Sequence, residues 1–422
     1  MLICNAVPVA RGWWLAGVVL TLAACGGGGG ASASGGGGTG GGNGGGPHLP
    51  DPASAPALKT AFSSNYLVGA AIPPDFTTGP YSAVLIKHIS SLTAENAMKP
   101  DTIQPSLAGS PDQPAAQNFG PADTIVNFAM TNNIKMRGHT LLWYYTAPDW
   151  FFAGCSQDPA GCLPDVRRRL HDYIWDVVRH FGGKIYAWDV VNEVVNPDPS
   201  STSPYRTNGP WYQTYAQAKA AGANVEPWDY IEDAFRAADE ARTSLGLTSA
   251  DMKLMINEYN TELPGKRANL VKIIQDLRNK GVPLDGVGHQ FHLRLDADVT
   301  EVSNALVAIE TLGGLMNQVT ELDVNIYADP ASCGQNGTGC IADYGTSPPQ
   351  SVLSDEARLY RALYAAFKRP SVQSVTTWGL TDGHTWYNDF PGARTNYPLL
   401  FDVNGNPKWA FWAVVDSTIT LP

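Results

Sequence analysis

From about residue 57 onward the chain repeats one pattern. A short apolar run ends in a polar or aromatic cluster, and a stretch with apolar positions three and four apart follows. The short runs predict strands at 67–71, 91–93, 134–138, 185–191, 253–256, 286–288, 319–322 and 375–378. The spaced stretches predict helices at 166–180, 228–244, 266–280, 299–311 and 355–368. Strands alternating with helices belong to α/β architecture, and eight of them fit a (β/α)8 barrel with enlarged βα loops. A doubly wound open sheet would favour a Gly-rich phosphate turn after an early strand. No G-x-G-x-x-G turn follows any of the expected strands.

The polar clusters fall at one end of nearly every expected strand. Glu95 and Asn96 follow the second, His139 the third, and Asn192 and Glu193 the fourth. Glu258 and Tyr259 follow the fifth, then come Gln290 and His292, then Glu321, and finally Trp378 with Asp382. A (β/α)8 barrel carries its active site at the strand C-termini. Two of these clusters place a carboxylate directly against an apolar run: Glu193 in WDVVNE and Glu321 in VTELD. A charge there is costly unless it is paired or lines a solvated cavity. Each alone reads equally as a buried ion-pair member. Two facing across one barrel mouth read as catalytic equipment.

Glycoside hydrolysis needs such a pair, one carboxyl protonated to serve the leaving oxygen and one ionised to attack the anomeric carbon. Sugar rings also need flat apolar faces and many polar partners. Trp143, Trp378 and Trp386 offer the faces, and Glu95, Asn96, Lys99, His139, Asn192 and Gln290 the hydrogen bonds.

The region before residue 57 has a different composition. GWWLAGVVLTLAA (12–24) follows Arg11 and is too short to span a bilayer, but it suits the core of a signal peptide. It runs into Leu22-Ala23-Ala24-Cys25, which resembles a bacterial lipoprotein cleavage box with Cys25 as the lipidated residue. Gly26 after that cysteine resembles outer-membrane lipoproteins. Residues 26–46 are almost all Gly with small polar residues and are expected to be disordered. A Gly-rich tether of this length would keep its ends roughly 25 Å apart. The expected organisation is thus a signal peptide over 1–24, an anchor and tether over 25–56, and one catalytic domain over 57–422. The chain would be exported and held on the outer membrane, facing the periplasm or the outside.

The formal net charge is -11. Nucleic acid is excluded as a partner, because phosphate binding needs clustered Lys and Arg. A neutral polysaccharide is not. Beyond Cys4 and Cys25, the cysteines are Cys155, Cys162, Cys333 and Cys340, two local pairs with six residues between the members of each. Metal sites favour shorter spacing, so disulfides are expected, each worth on the order of 2–3 kcal/mol. Four cysteines allow three pairings, and spacing does not choose among them.

Taken together, TAENAMKP (93–100), RGHTLLW (137–143), WDVVNE (188–193), NEYN (257–260), HQFH (289–292), TELD (320–323) and WGLTDGHTW (378–386) resemble glycoside hydrolase family 10, the xylanase family. The resemblance covers about 60–415. It implies a retaining endo-β-1,4-xylanase with Glu193 as general acid/base and Glu321 as nucleophile. Asn192 would hold the 2-hydroxyl of the attacked sugar, and His292, oriented by Asp323, would hydrogen-bond the nucleophile. Glu95, Asn96 and Lys99 would grip the next sugar on the non-reducing side. His139, Trp143, Gln290, Trp378 and Trp386 would line the cleft, with Tyr259 towards the leaving group. Neither metal nor cofactor is called for, and a monomer acting on xylan or xylo-oligosaccharide is expected. The chain departs from the family after Trp143, where Tyr144 and Thr146 replace the usual His and Gln, and in a lengthened stretch at 197–228. Xylan is therefore weighed against β-1,4-glucan cleaved by the same pair, and against non-catalytic glycan binding.

Overall fold

The computed structural model describes residues 48–106, 117–198, 200–330, 332–333, 338–390 and 394–422. These belong to one compact unit, Gly46–Pro422. The expected signal peptide, Cys25 and the Gly-rich run at 26–46 lie outside the described residues. Residues 48–56, expected as the end of the tether, are described: Pro52–Ser54 form a 3-10 turn and Ala55 is buried in the core.

The apolar runs form parallel strands: β1 (Leu67–Ile72), β2 (Ser91–Ala94), β3 (Lys135–Trp143), β4 (Ile185–Asn192), β5 (Lys253–Glu258), β6 (Gly286–His289), β7 (His292–Arg294), β8 (Met316–Asn325) and β9 (Val372–Thr377). β1 pairs with both β2 and β9, and β6 with both β5 and β8. The sheet therefore closes into an eight-stranded barrel without an edge. β7 stands outside the count. It continues β6 after Phe291, whose φ of +53° breaks the strand, and pairs His292 with Asp323 on β8.

Each crossover carries a helix: α1 (Gly79–His88), α2 (Gly120–Thr131), α3 (Leu163–Phe181), α4 (Pro210–Ala220) and α5 (Asp229–Ser244), then α6 (Pro264–Asn279), α7 (Val299–Leu312) and α8 (Gln350–Ala366). α9 (Trp409–Val415) follows β9. α3 shows why such segments become helices. It buries Val166, Leu170, Tyr173, Ile174, Val177 and Phe181 at the three- and four-residue spacing of one face. It stops at Gly182, where φ is +54°. The strands face the lumen on one side and helices on the other, so they read as continuous apolar runs.

All eight expected barrel strands form, several of them longer than expected. β8 starts at Met316 rather than 319, and β9 runs from Val372 to Thr377, leaving Trp378 in the following loop. The five expected helices are joined by α1, α2, α4 and α9. The lengthened stretch at 197–228 contains α4.

The lumen is not wholly apolar. Arg137 on β3 makes a bidentate, fully buried pair with Asp189 on β4, and its Nε donates to Gln318 Oε1 on β8 at 2.8 Å. β3 and β8 are not neighbours in the sheet, so this contact crosses the barrel. Glycine leaves the room. A Cβ on Gly288 would lie 3.1 Å from Arg137 Nη2 and 2.3 Å from Asn257 Oδ1. A Cβ on Gly138 would lie 2.2 Å from the Trp188 ring.

Breaking a buried pair by removing one partner leaves an uncompensated charge. Arg137→Met is expected to lower unfolding free energy by about 3–5 kcal/mol in chemical denaturation. A loss under about 1 kcal/mol would mean that the barrel does not depend on this pair.

Candidate active site

β4 ends at Asn192, and Glu193 follows with φ of +58°, in the left-handed region that a non-glycine residue rarely adopts. Its N–H donates to the carbonyl of Asn257 at 2.9 Å, so the turn stays tied to β5. The Glu193 carboxylate lies 3.3 Å from Gln290 Nε2 and 3.4 Å from Asn192 Nδ2. Arg206 Nη2 is 3.9 Å away. Burial is the main influence on its proton and pushes its pKa up. The charge of Glu258 adds to this, Arg206 opposes it, and Glu321 adds again.

Glu321 sits within β8 in a different setting. Its Oε1 accepts from Asn257 Nδ2 at 2.7 Å and its Oε2 from His292 Nε2 at 3.1 Å. His292 Nδ1 in turn faces Asp323 Oδ2 at 2.9 Å. Only the doubly protonated imidazole donates from both nitrogens, so two carboxylates on one ring select the cation. Burial works against that charge, but Asp323 and Glu321 outweigh it and raise the His292 pKa. Burial likewise pushes Glu321 up. It is overcome by the His292 bond, by His139 and His292 charge, and by the Asn257 bond, so Glu321 stays well below the usual carboxylate range. Trp386 Nε1 also donates to Asp323 Oδ2, at 2.9 Å.

The remaining expected residues gather around this pair. Asn192 Oδ1 accepts from Asn257 and Gln290 at 2.9 and 3.2 Å, which fixes its amide. His139 Nδ1 donates to Asp189 at 2.9 Å, and its ring meets Trp378 edge-on at 5.2 Å. Lys99 Nζ donates to Asn96 Oδ1 at 2.7 Å, and Asn96 Nδ2 to Glu95 Oε1 at 3.2 Å. The same ammonium lies 5.0 Å from the Trp143 ring centre and 5.8 Å from that of Trp378, and burial lowers its pKa. Trp386 stacks on Tyr387 at 4.4 Å and on Phe390 at 5.5 Å. Tyr259 lies on the Glu193 side, its hydroxyl accepting from Arg206 Nη2 at 2.9 Å.

Asp382 departs from its reading as part of the mouth. It is buried, 2.9 Å from Lys408 Nζ, and accepts from the Leu399 N–H, so it holds the C-terminal segment. Cys155–Cys162 and Cys333–Cys340 are disulfides, in the loops after β3 and β8. Among the described residues, one group has metal-ligand proximity: Asp329 with Cys333 and Cys340. Its sulfurs are bonded to each other.

Several site residues had no role in the sequence reading. Asn257 bridges Asn192 and Glu321, and His384 Nε2 donates to Glu95 Oε2 at 2.8 Å. Asn257 sits in NEYN and His384 in WGLTDGHTW, so both were in view without a partner to define them. Glu258 is structural. It accepts from the Val195 N–H at 2.8 Å and pairs with Lys266 at 2.8 Å.

The geometry can be set beside known proteins. The Glycosyl hydrolase family 10 model matches residues 57–417. A thermostable celloxylanase of Thermoclostridium stercorarium is 38% identical over 375 residues, 86% of this chain and 87% of that protein. A beta-1,4-xylanase of Dictyoglomus thermophilum is 36% identical over 363 residues, 85% of this chain and 90% of that protein. The crystal structure of xylanase B from Clostridium stercorarium F9 superposes with a TM-score of 0.74 at 39% identity, covering 86% of this chain and 99% of that one. A family match over residues 57–417, with relatives 36–38% identical over most of both chains, means that the chain belongs to glycoside hydrolase family 10.

Proposed function

We propose that this enzyme cleaves internal β-1,4-xylosidic bonds of xylan with retention of configuration. The observation that carries the reading is the unequal treatment of two buried glutamates. Glu321 receives a charge-assisted bond and an amide bond, while Glu193 is buried beside another carboxylate. Environments that push two titratable groups apart define the acid and the base.

In the first step a Glu321 oxygen attacks the anomeric carbon, the bond to the leaving oxygen breaks, and protonated Glu193 gives its proton to that oxygen. A covalent glycosyl ester results. Forming it consumes the charge of Glu321, one of the causes raising Glu193, so the Glu193 carboxylate becomes easier to hold. In the second step water attacks the same carbon, Glu193 takes the water proton, and the ester bond breaks to restore the Glu321 carboxylate. Two inversions give net retention. Asn192, with its carbonyl occupied by two donors, keeps its amide N–H for the sugar 2-hydroxyl. Glu95, Asn96 and Lys99 would bind the sugar on the non-reducing side, with Trp143 and Trp378 as apolar walls.

A second reading, activity on β-1,4-glucan as well, is kept alive by the relative named a celloxylanase. The N-terminal proposal is separate. Leu22-Ala23-Ala24-Cys25 and the Gly-rich run at 26–46 support a lipid-anchored, exported enzyme, tethered ahead of its catalytic domain.

Reducing-sugar release is expected to be much faster from xylan than from soluble β-1,4-glucan, and Glu321→Ala should cut turnover on xylan by roughly 10³-fold or more. Wild-type turnover in that variant, or products of inverted configuration by NMR, would overturn the mechanism. The pH profile of kcat/KM should be bell-shaped. Glu321, with its depressed pKa, must be ionised, so activity falls as pH drops through a low acid limb. Glu193, with its raised pKa, must be protonated, so activity falls as pH rises through a limb above about 4.3, the ordinary Glu value. Cys25→Ala should move the enzyme from the membrane fraction to the soluble one, as read by immunoblot.

A further inference from the structure

The chain that leaves β4 makes a hairpin and returns. Asn196 N donates to the Pro204 carbonyl at 2.8 Å and Arg206 N to the Val194 carbonyl at 2.7 Å, and Val195 bridges Tyr205 antiparallel. Successive residues of an extended strand face opposite ways. Tyr205 turns outward, stacking on Trp228 at 4.6 Å and donating to Asp276 at 2.6 Å. Arg206 turns inward and is buried. Its Nε donates to the Glu193 carbonyl at 2.5 Å and its Nη2 to the Tyr259 hydroxyl at 2.9 Å. The guanidinium carbon lies 4.2 Å from the Tyr144 ring centre. Its Nη1 donates to Asn208 Oδ1 at 3.4 Å, and its Nη2 also approaches Glu193 Oε2 at 3.9 Å.

Two problems at Glu193 meet in this one side chain. The first is the backbone. A left-handed non-glycine residue persists only where its surroundings hold it. Asn257 takes the Glu193 N–H and Arg206 takes its carbonyl, so the peptide on each side is tied. The second is the proton. Burial and the neighbouring charge of Glu258 both favour the neutral acid, which suits the first chemical step and hinders the second. A fixed cation near the carboxylate limits that bias.

We propose that Arg206 is a positioning residue for the acid/base. It locks the Glu193 backbone through the carbonyl and supports the carboxylate form that must accept a proton from water. Tyr144 and Tyr259 hold the guanidinium in place. The inference rests on the reading of Glu193 as acid/base.

The test compares wild type, Arg206→Gln, Arg206→Lys and Glu193→Gln on one xylo-oligosaccharide, with kcat and kcat/KM followed across pH. Loss of the positive charge removes a support of the carboxylate, so the Glu193 pKa rises. R206Q should therefore move the basic limb to higher pH by about one unit. It should also lower kcat by about tenfold with little change in KM, as for an interaction made in the transition state. R206K keeps the charge but not the paired bonds, so it should hold the limb near wild type while still losing kcat. An unmoved basic limb in R206Q, at any kcat, would overturn the proposal. Should R206Q fail to fold, wild-type kcat in R206K would overturn it instead. E193Q separates the two readings. If it keeps the basic limb, the acid/base reading itself fails. If it loses the limb while R206Q leaves it unmoved, only the role of Arg206 fails.

Discussion

The buried pair of Arg137 and Asp189 in the barrel lumen is the constraint on which the site depends. Taking two charges out of water is costly, and attraction offsets this only with good geometry and satisfied hydrogen bonds. Here Arg137 reaches β4 and β8 at once, and Asp189 also accepts from His139. His139 then presents its ring to Trp378 and contributes charge that favours the ionised Glu321. The environment of Glu321 is thus set partly by a layer below it. The glycines at 138 and 288 are part of the same arrangement, since a side chain at either would displace Trp188, Asn257 or Arg137.

Above that layer, the two glutamates differ mainly in what donates to them. Glu321 lies within a strand, where the adjacent β7 and, one strand further, β5 aim His292 and Asn257 at it. Glu193 lies one residue past a strand end, where the turn leaves it with amide contacts beyond 3.2 Å and a guanidinium at the edge of reach. Fold position alone thus separates a carboxylate whose pKa is lowered from one whose pKa is raised. A single short strand, β7, completes the asymmetry by placing His292 opposite Asp323.

Much of this was legible in the sequence, for identifiable reasons. The barrel showed through because strands buried on both faces are short unbroken apolar runs. Glu193 and Glu321 showed through because a carboxylate against such a run demands an explanation. Arg137 and Asp189 carry the same signal, but the contact of Arg137 with Gln318 crosses the lumen, and that register depends on how the barrel closes. His384 reaches Glu95 across 289 positions of sequence, a pairing no local pattern announces. Arg206 lies in a stretch without periodicity, where only the returning hairpin gives it meaning. Asp382 misled because strand-end position does not say whether a polar side chain faces the cleft or a lysine beneath it.

The Cys155–Cys162 bridge has a consequence outside catalysis. Its sulfurs are buried while residues 156–158 are exposed, so the loop offers proteases an accessible tip on a covalently closed ring. Exposed tips are where nicking concentrates. A cut between the two cysteines would leave both new ends joined through sulfur, and α3 would stay attached to the strand before it. In an environment where chains are attacked as well as folded, such a ring makes a backbone break something other than a loss of the enzyme.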